Sequence, residues 1–321
     1  MQAIFAVVRR LSACAAVLAL LVVAPRAAHA VESTVHLPVV MGPRIAIAFI
    51  SNRPGYDRLF GMYEDGSGVI QLGDSPYPRD PDYSPDGARI AFASQGCNGC
   101  SSDIFIMNAD GSGLTQVTHS EDFEESAPDW SPDGQQIAFY RVPWDSYVGD
   151  IYIVDVNGAN LKQVTNTPDN QDLDPQWLPD GRIGFWRGIV GTSDLFTINA
   201  DGSGESNLTN TMDVHETEAV WSPNGAKIAY VENPFDCSPC LKGIYVMNAD
   251  GSNKKKLFDR SGFDLYRPAW SPGGDKIIFD ANMFDPDYHS ELFVMNADGS
   301  NVVQLTHSGA PVTNWAAAWR P

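Results

Sequence analysis

Ala127-Pro128-Asp129-Trp130-Ser131-Pro132-Asp133-Gly134-Gln135-Gln136-Ile137-Ala138-Phe139 reads as two strands joined by a tight turn. Asp-Gly between apolar runs is the strongest short-range hairpin signal, because a type I′ turn needs φ > 0 at both central residues. Pro132 has no N–H and suits the end of a strand. The stretch recurs. Pro81-Asp82-Tyr83-Ser84-Pro85-Asp86-Gly87 precedes it, and Pro175 to Gly181, Ala219 to Gly225 and Pro268 to Gly274 follow. A last copy, Ala317-Ala318-Trp319-Arg320-Pro321, stops before its turn.

The aromatic anchors stand at 83, 130, 177, 221, 270 and 319, so the period is 44–49 residues. A period of that length, with turn signals between β-rich runs, is the sequence signature of propeller blades. Each anchor is followed by an Ile-Ala-Phe-like run and then by a second motif, such as Ile104-Phe105-Ile106-Met107-Asn108-Ala109-Asp110-Gly111-Ser112-Gly113. A short run such as Leu114-Thr115-Gln116-Val117-Thr118 closes the repeat. Each unit therefore has four strands: A (Trp), B (Ile-Ala-Phe), C (Ile-Tyr-Val-Met) and D (Leu-Thr).

Residues 44–72 supply strands B, C and D without an A strand, and the C-terminus supplies an A strand without the others. The expectation is an all-β, six-bladed β-propeller of four-stranded antiparallel blades. The N-terminal strands B-C-D and the C-terminal strand A would close its ring, leaving only short edges unpaired. Strands B and C are apolar at consecutive positions, as in Ile151-Tyr152-Ile153-Val154. Such strands are buried on both faces, so a blade needs a neighbour on each side. The tryptophans then pin one blade to the next.

Trp-Ser-Pro-Asp-Gly, followed by Ile-Ala-Phe and by Met-Asn-Ala-Asp-Gly-Ser, resembles the TolB-type, WD40-like propeller repeat. The resemblance covers residues 43–321. It implies an exported protein-interaction scaffold of the periplasm or cell surface. TolB proteins carry an α/β domain before the propeller. Here only about a dozen residues separate the leader's cleavage site from blade strands, far short of a domain. No partner-binding residue is carried over from that family.

Composition fits a folded protein: 321 residues, 43% hydrophobic and 19% charged, with a formal net charge of −19. That charge repels nucleic acid and anionic membrane and disfavours both as partners. Residues 1–30 read as a signal peptide, with Arg9 and Arg10, an apolar run from Leu11 to Ala24, and an Ala28-His29-Ala30 cleavage site. The run is too short to span a bilayer. Cleavage after Ala30 removes three arginines and no acid, taking the charge to −22. Leu11 to Cys14 also resembles a lipoprotein box. Residues 31–42 form an extended leader. The expected setting is periplasmic or extracellular, and the protein a monomer.

Cys97-Asn98-Gly99-Cys100 and Cys237-Ser238-Pro239-Cys240 fall between strands B and C of their repeats. A C-x-x-C redox motif wants a βαβ setting that this chain lacks. Two knuckles could form a four-thiolate zinc site, but those repeats lie three steps apart in a six-blade ring. A local disulfide in each loop fits an oxidising compartment.

Catalytic motifs are absent from the sequence: there is no Gly-x-Ser-x-Gly elbow and no H-E-x-x-H. His119 and His307 share one repeat position, as structural residues do. The Asn-Ala-Asp-Gly-Ser segments lack the closing Glu of a calcium loop and read as C–D hairpin turns.

Acids gather before the anchors: Asp80, Asp82, Glu124, Glu125, Asp172, Asp174, Glu216, Glu218 and Asp264. The expectation places them on blade-connecting loops around one tunnel mouth, where binding usually resides. Such carboxylates would recruit a protein or glycan partner, hold a hard cation such as Ca²⁺, or stay a solvated rim. Otherwise no cofactor is expected, and no metal ligand is assigned. The function expected is non-catalytic binding through this acidic face. The alternative is a metal-assisted lyase or hydrolase acting on glycans or polyuronides at the tunnel mouth, with His215 the histidine placed for it.

Overall fold

The computed structural model describes residues 44–95, 101–189, 192–234, 242–284 and 289–321. The expected signal peptide (1–30), the expected leader (31–42) and all four cysteines of the C-x-x-C pairs lie outside the described residues. Pro43–Pro321 form one compact unit.

The described chain is all β. It opens with β1 (Ile47–Ser51), β2 (Arg58–Met62) and β3 (Ile70–Gln71), then β4 (Pro78–Tyr83), β5 (Arg89–Gln95), β6 (Ser102–Asn108) and β7 (Thr115–Gln116). Next come β8 (Phe123–Trp130), β9 (Gln136–Pro143), β10 (Asp150–Asp155) and β11 (Lys162–Gln163). They are followed by β12 (Gln171–Trp177), β13 (Arg182–Ile189), β14 (Thr192–Asn199) and β15 (Ser206–Asn207). After them run β16 (Val214–Trp221), β17 (Lys227–Pro234), β18 (Gly243–Asn248) and β19 (Lys255–Phe258). The chain closes with β20 (Phe263–Trp270), β21 (Lys276–Met283), β22 (His289–Asn296), β23 (Val303–Gln304) and β24 (Asn314–Trp319).

The strands pair antiparallel in groups of four. β4 to β7, β8 to β11 and β20 to β23 are separate sheets. β12 to β15 and β16 to β19 are two such groups joined by one parallel bridge, Ser193 to His215. β1 pairs on one side with β2 and on the other with β24, with Ile47 opposite Trp319.

The turn after each Trp differs from the I′ geometry expected of Asp-Gly. Gly134 is left-handed (φ 67°), but Asp133 is not among the residues of positive φ. The Gly134 N–H donates to Ser131 O at 2.8 Å, so Pro132 and Asp133 are the central pair. Pro at the second position and Gly at the fourth are the preferences of a type I turn. The Ser131 hydroxyl locks it, donating to Asp133 Oδ1 at 2.7 Å and accepting from Gln136 N at 2.9 Å. The C–D turns are equally local. Asp110 Oδ1 accepts from the N–H and hydroxyl of Ser112, which hold its carboxyl below the usual range.

Apolar side chains of consecutive sheets form shared clusters. Ala91 and Ile104 pack with Trp130, Ile137 and Phe139, for example, and Ile278 and Leu292 pack with Ile47, Phe49 and Ala317. The Trp of one sheet lies on the B strand of the one before. Gly184 shows how tightly: a Cβ there would stand 2.3 Å from the Trp221 ring.

Candidate binding cavity

Every A strand carries a bulge three residues before its anchor. The residue there is left-handed in all six: Asp80, Ala127, Asp174, Glu218, Arg267 and Ala316, with φ between 47° and 52°. The pairing with the B strand shifts at the same place. A bulge re-aims side chains. Here the six bulges line one cavity of about 560 Å³.

The predicted acids are therefore not loop residues. The segment before each anchor is itself the A strand, and Asp80, Asp82, Glu124, Glu125, Asp172, Asp174, Glu216, Glu218 and Asp264 all lie in β4, β8, β12, β16 or β20. Strand alternation separates Glu124 from Glu125, and the bulge separates Asp172 from Asp174 and Glu216 from Glu218.

Five residues before the anchor, Glu125, Asp172 and Glu216 are fully buried and none lines the cavity. Each has a cation. Arg141 Nε donates to Glu125 Oε1 at 2.9 Å. Arg187 grips Asp172 with two nitrogens, at 2.6 and 2.9 Å, and continues to Glu205. Lys254 Nζ lies 3.3 Å from Glu216 and also pairs with Glu232. Glu124, next to Glu125 but on the other face, makes only a half-exposed contact with Arg79 at 3.4 Å. Asp264 accepts from the Tyr266 hydroxyl and lies 3.5 Å from Lys242.

The cavity receives Asp80, Asp82, Asp174 and Glu218, together with Asp129 and Arg267, which the sequence reading left out. Among the described residues Arg267 is the one cation in the cavity lining. It lies 3.3 Å from Asp280 and 3.9 Å from Asp80, and its backbone N–H donates to Glu218 Oε2 at 2.6 Å. Asp174 accepts from the Trp186 indole at 2.8 Å, and Asp80 from the Ser126 hydroxyl at 2.8 Å. Burial pushes Asp174 up to about 6 and Glu218 up to about 7, against the pull of Arg267.

One residue before the anchor, Asp82 and Asp129 act as inter-sheet stitches. Asp82 Oδ2 accepts from the Trp130 N–H at 3.0 Å, Asp129 Oδ2 from the Trp177 N–H at 2.6 Å, and Gln176 Oε1 from the Trp221 N–H at 2.6 Å. Among the described residues no ion pair reaches Asp82 or Asp129. Burial pushes Asp82 up to about 7. Burial, and then the charge of Asp82, holds Asp129 well above the carboxylate range.

The lining also holds apolar residues, Val220, Ala269, Ala318, Trp270 and Trp319 among them. The cavity thus combines aliphatic and aromatic surface with acids and, among the described residues, one arginine. Among the described residues no three His, Cys, Asp or Glu side chains come together as a metal-holding group. Nor, among them, is there a helix long and apolar enough to cross a membrane.

Arg267 and Asp129 were readable in principle. Aligning the six anchors puts Asp, Ala, Asp, Glu, Arg and Ala in one column and Asp, Asp, Gln, Val, Ala and Ala in another. Counting acids by segment hid both columns.

Antiparallel four-stranded sheets that repeat around a common cavity define a β-propeller. The sequence profile of the TolB beta propeller domain matches residues 47–237, more than half of the sequence, and the chain belongs to that family. No curated protein matches the sequence. Among solved structures it is similar to TolB from Acinetobacter baumannii, with a TM-score of 0.71 and 20% identity over 86% of this chain and 67% of that one. Hydrazine synthase from Kuenenia stuttgartiensis gives 0.69 and 17% over 86% of this chain and 47% of that one. Oligogalacturonate lyase from Vibrio parahaemolyticus gives 0.57 and 15% over 82% and 75%. At these identities the likeness is one of fold, and a fold hosts many functions.

Proposed function

We propose that the chain is an exported, non-catalytic binding propeller of six blades, working in the periplasm or outside the cell. Its tunnel takes a basic side chain of a protein partner. β24 serves as the A strand of the blade built from β1, β2 and β3, and the shared cavity is the tunnel. The pairing of β24 with β1 and the cluster joining Ile278 and Leu292 to Ile47 and Phe49 support the closure. Removing Asn314–Pro321 should then lower the melting temperature of the whole domain. An unchanged melting curve would rule out closure.

The observation that carries the binding reading is the Asp82–Asp129 pair. Two carboxylates share a low-dielectric wall with no cation beside them among the described residues. Burying charge without a partner is unfavourable, so a lysine or arginine entering from a partner would supply what this wall lacks. The apolar part of the lining would cover the stem of such a side chain. Arg267 already serves the neighbouring ring, so the unmatched acids define where the cation goes.

The test compares partners captured from cell envelope and culture medium by the wild type and by Asp82→Asn/Asp129→Asn. Asn keeps an acceptor for the Trp130 and Trp177 N–H groups. A captured partner should be lost with the double variant, and also when its own inserted Lys or Arg is changed to Gln. Capture that survives both changes would refute the reading.

A further inference from the structure

Trp186 connects the tunnel cavity to a second, smaller concavity. Its indole N–H donates to Asp174 in the first, while the residue itself lines the second, of about 380 Å³. No residue is common to the two linings. The second concavity sits where the single parallel bridge, Ser193 to His215, joins two sheets. Its rim comes from three other places. Tyr147 lies on the β9–β10 loop, Asp169 and Asn170 on the connection into β12, and Gln171 on β12 itself.

Tyr147 is 89% exposed. A side chain so exposed contributes little to the fold, yet its loop is held: Gln171 Nε2 donates to the Tyr147 backbone carbonyl. The same loop exposes Trp144, and the connection into β16 exposes Met212. In the lining itself, Tyr147 and Trp186 stand with one carboxylate, two amides and an imidazole.

We propose that this concavity binds a neutral pyranose, as one or two sugar rings. A pyranose has an apolar C–H face and an equatorial belt of hydroxyls. Aromatic rings with wet edges suit the first. A carboxylate and amides, which accept and donate in fixed planes, suit the second. The volume falls in the range of small-molecule sites, which combine aromatic walls with a few polar groups. Charge selects against uronates. Among the described residues the lining contains Asp169 and no lysine or arginine, and the chain as a whole is at −19. A sugar carboxylate would meet repulsion with no compensating cation.

The proposal is independent of the basic-partner reading, because it uses neither Asp82 nor Asp129. Isothermal titration with cellobiose, maltose, N,N′-diacetylchitobiose and digalacturonate tests it. At least one neutral disaccharide should bind at one site with Kd below about 1 mM, and digalacturonate should not. Tyr147→Ala should weaken that binding about tenfold without moving the melting curve. Tyr147→Phe should keep it, and Asp82→Asn/Asp129→Asn should leave it unchanged. The assignment is overturned if no neutral sugar binds, if digalacturonate binds as well, or if Tyr147→Ala binds like wild type. A proline-rich peptide that saturates the site while the sugars do not would overturn it too.

Discussion

Glu125 and Asp129 lie on the same strand, four residues apart, and have opposite fates. Glu125 is buried against Arg141 and accepts from the Thr118 hydroxyl. Asp129 faces the cavity beside Asp82, holds a backbone N–H and has no cation among the described residues. Asp172 and Glu216 repeat the first arrangement, while Asp82 repeats the second. Acidity alone therefore does not mark a binding residue. A carboxylate matched within its own sheet belongs to the scaffold. One left unmatched on a cavity wall is available to something else.

The comparison breaks most visibly at the matched acids. Arg141→Ala should leave Glu125 buried without its cation and cost about 3–5 kcal/mol, read as a lower denaturant midpoint. If Arg141→Ala unfolds like wild type, these pairs do not hold the scaffold.

Acid pH should next separate the cavity acids from the turn acids. Asp82, Asp174 and Glu218 have folded values raised to about 7, 6 and 7 by burial. A raised carboxyl contributes stability that is fully present below its unfolded value, near 4, and lost as pH climbs through the folded value. Melting temperature should therefore fall as pH rises from about 4 to about 7, and Asp82→Asn/Asp129→Asn should flatten that slope. The turn acids act in the opposite sense. Asp110 and its counterparts Asp65, Asp201, Asp250 and Asp298 are held below 3.8 by their serines, so their contribution is lost only at lower pH. A flat wild-type profile between pH 4 and 7 would contradict the assignment.

The smallest effect belongs to Glu124, whose contact with Arg79 is long and half-exposed. Glu124→Gln should change stability by no more than about 0.5 kcal/mol in equilibrium unfolding, and less in high salt. A larger loss would mean that exposure does not divide structural from dispensable acids here.

The repeat anchors made the fold legible. Period, turn residues and the doubly apolar B and C strands all favoured stacked four-stranded sheets, and the family assignment agrees. Two local readings were corrected by geometry. Asp-Gly suggested a type I′ turn, yet Pro132, with φ fixed at about −65°, suits the second position of a type I turn, so the central pair lies one residue back and Gly134 takes the left-handed position. The acids looked like a loop because they precede the Trp. The strand already begins seven residues earlier at Phe123, Val214 and Phe263. Alternation and the bulge then decide which acids meet Arg141, Arg187 or Lys254, partners that lie 15–38 residues away in sequence. The bulge that turns Asp80, Asp174, Glu218 and Arg267 inward has no marker in any single repeat. It emerges only when all six are aligned, because the inserted residue is Asp, Ala, Glu or Arg and not glycine.

The most direct measurement is the melting curve of Asp82→Asn/Asp129→Asn at pH 8, above the value of about 7 to which burial pushes Asp82. Burying charge without a partner is unfavourable, so removing it while keeping both acceptors should leave the melting temperature unchanged or raise it. A fall of several degrees would show that these carboxyls hold the sheets together, and that the division between scaffold acids and free acids is wrong.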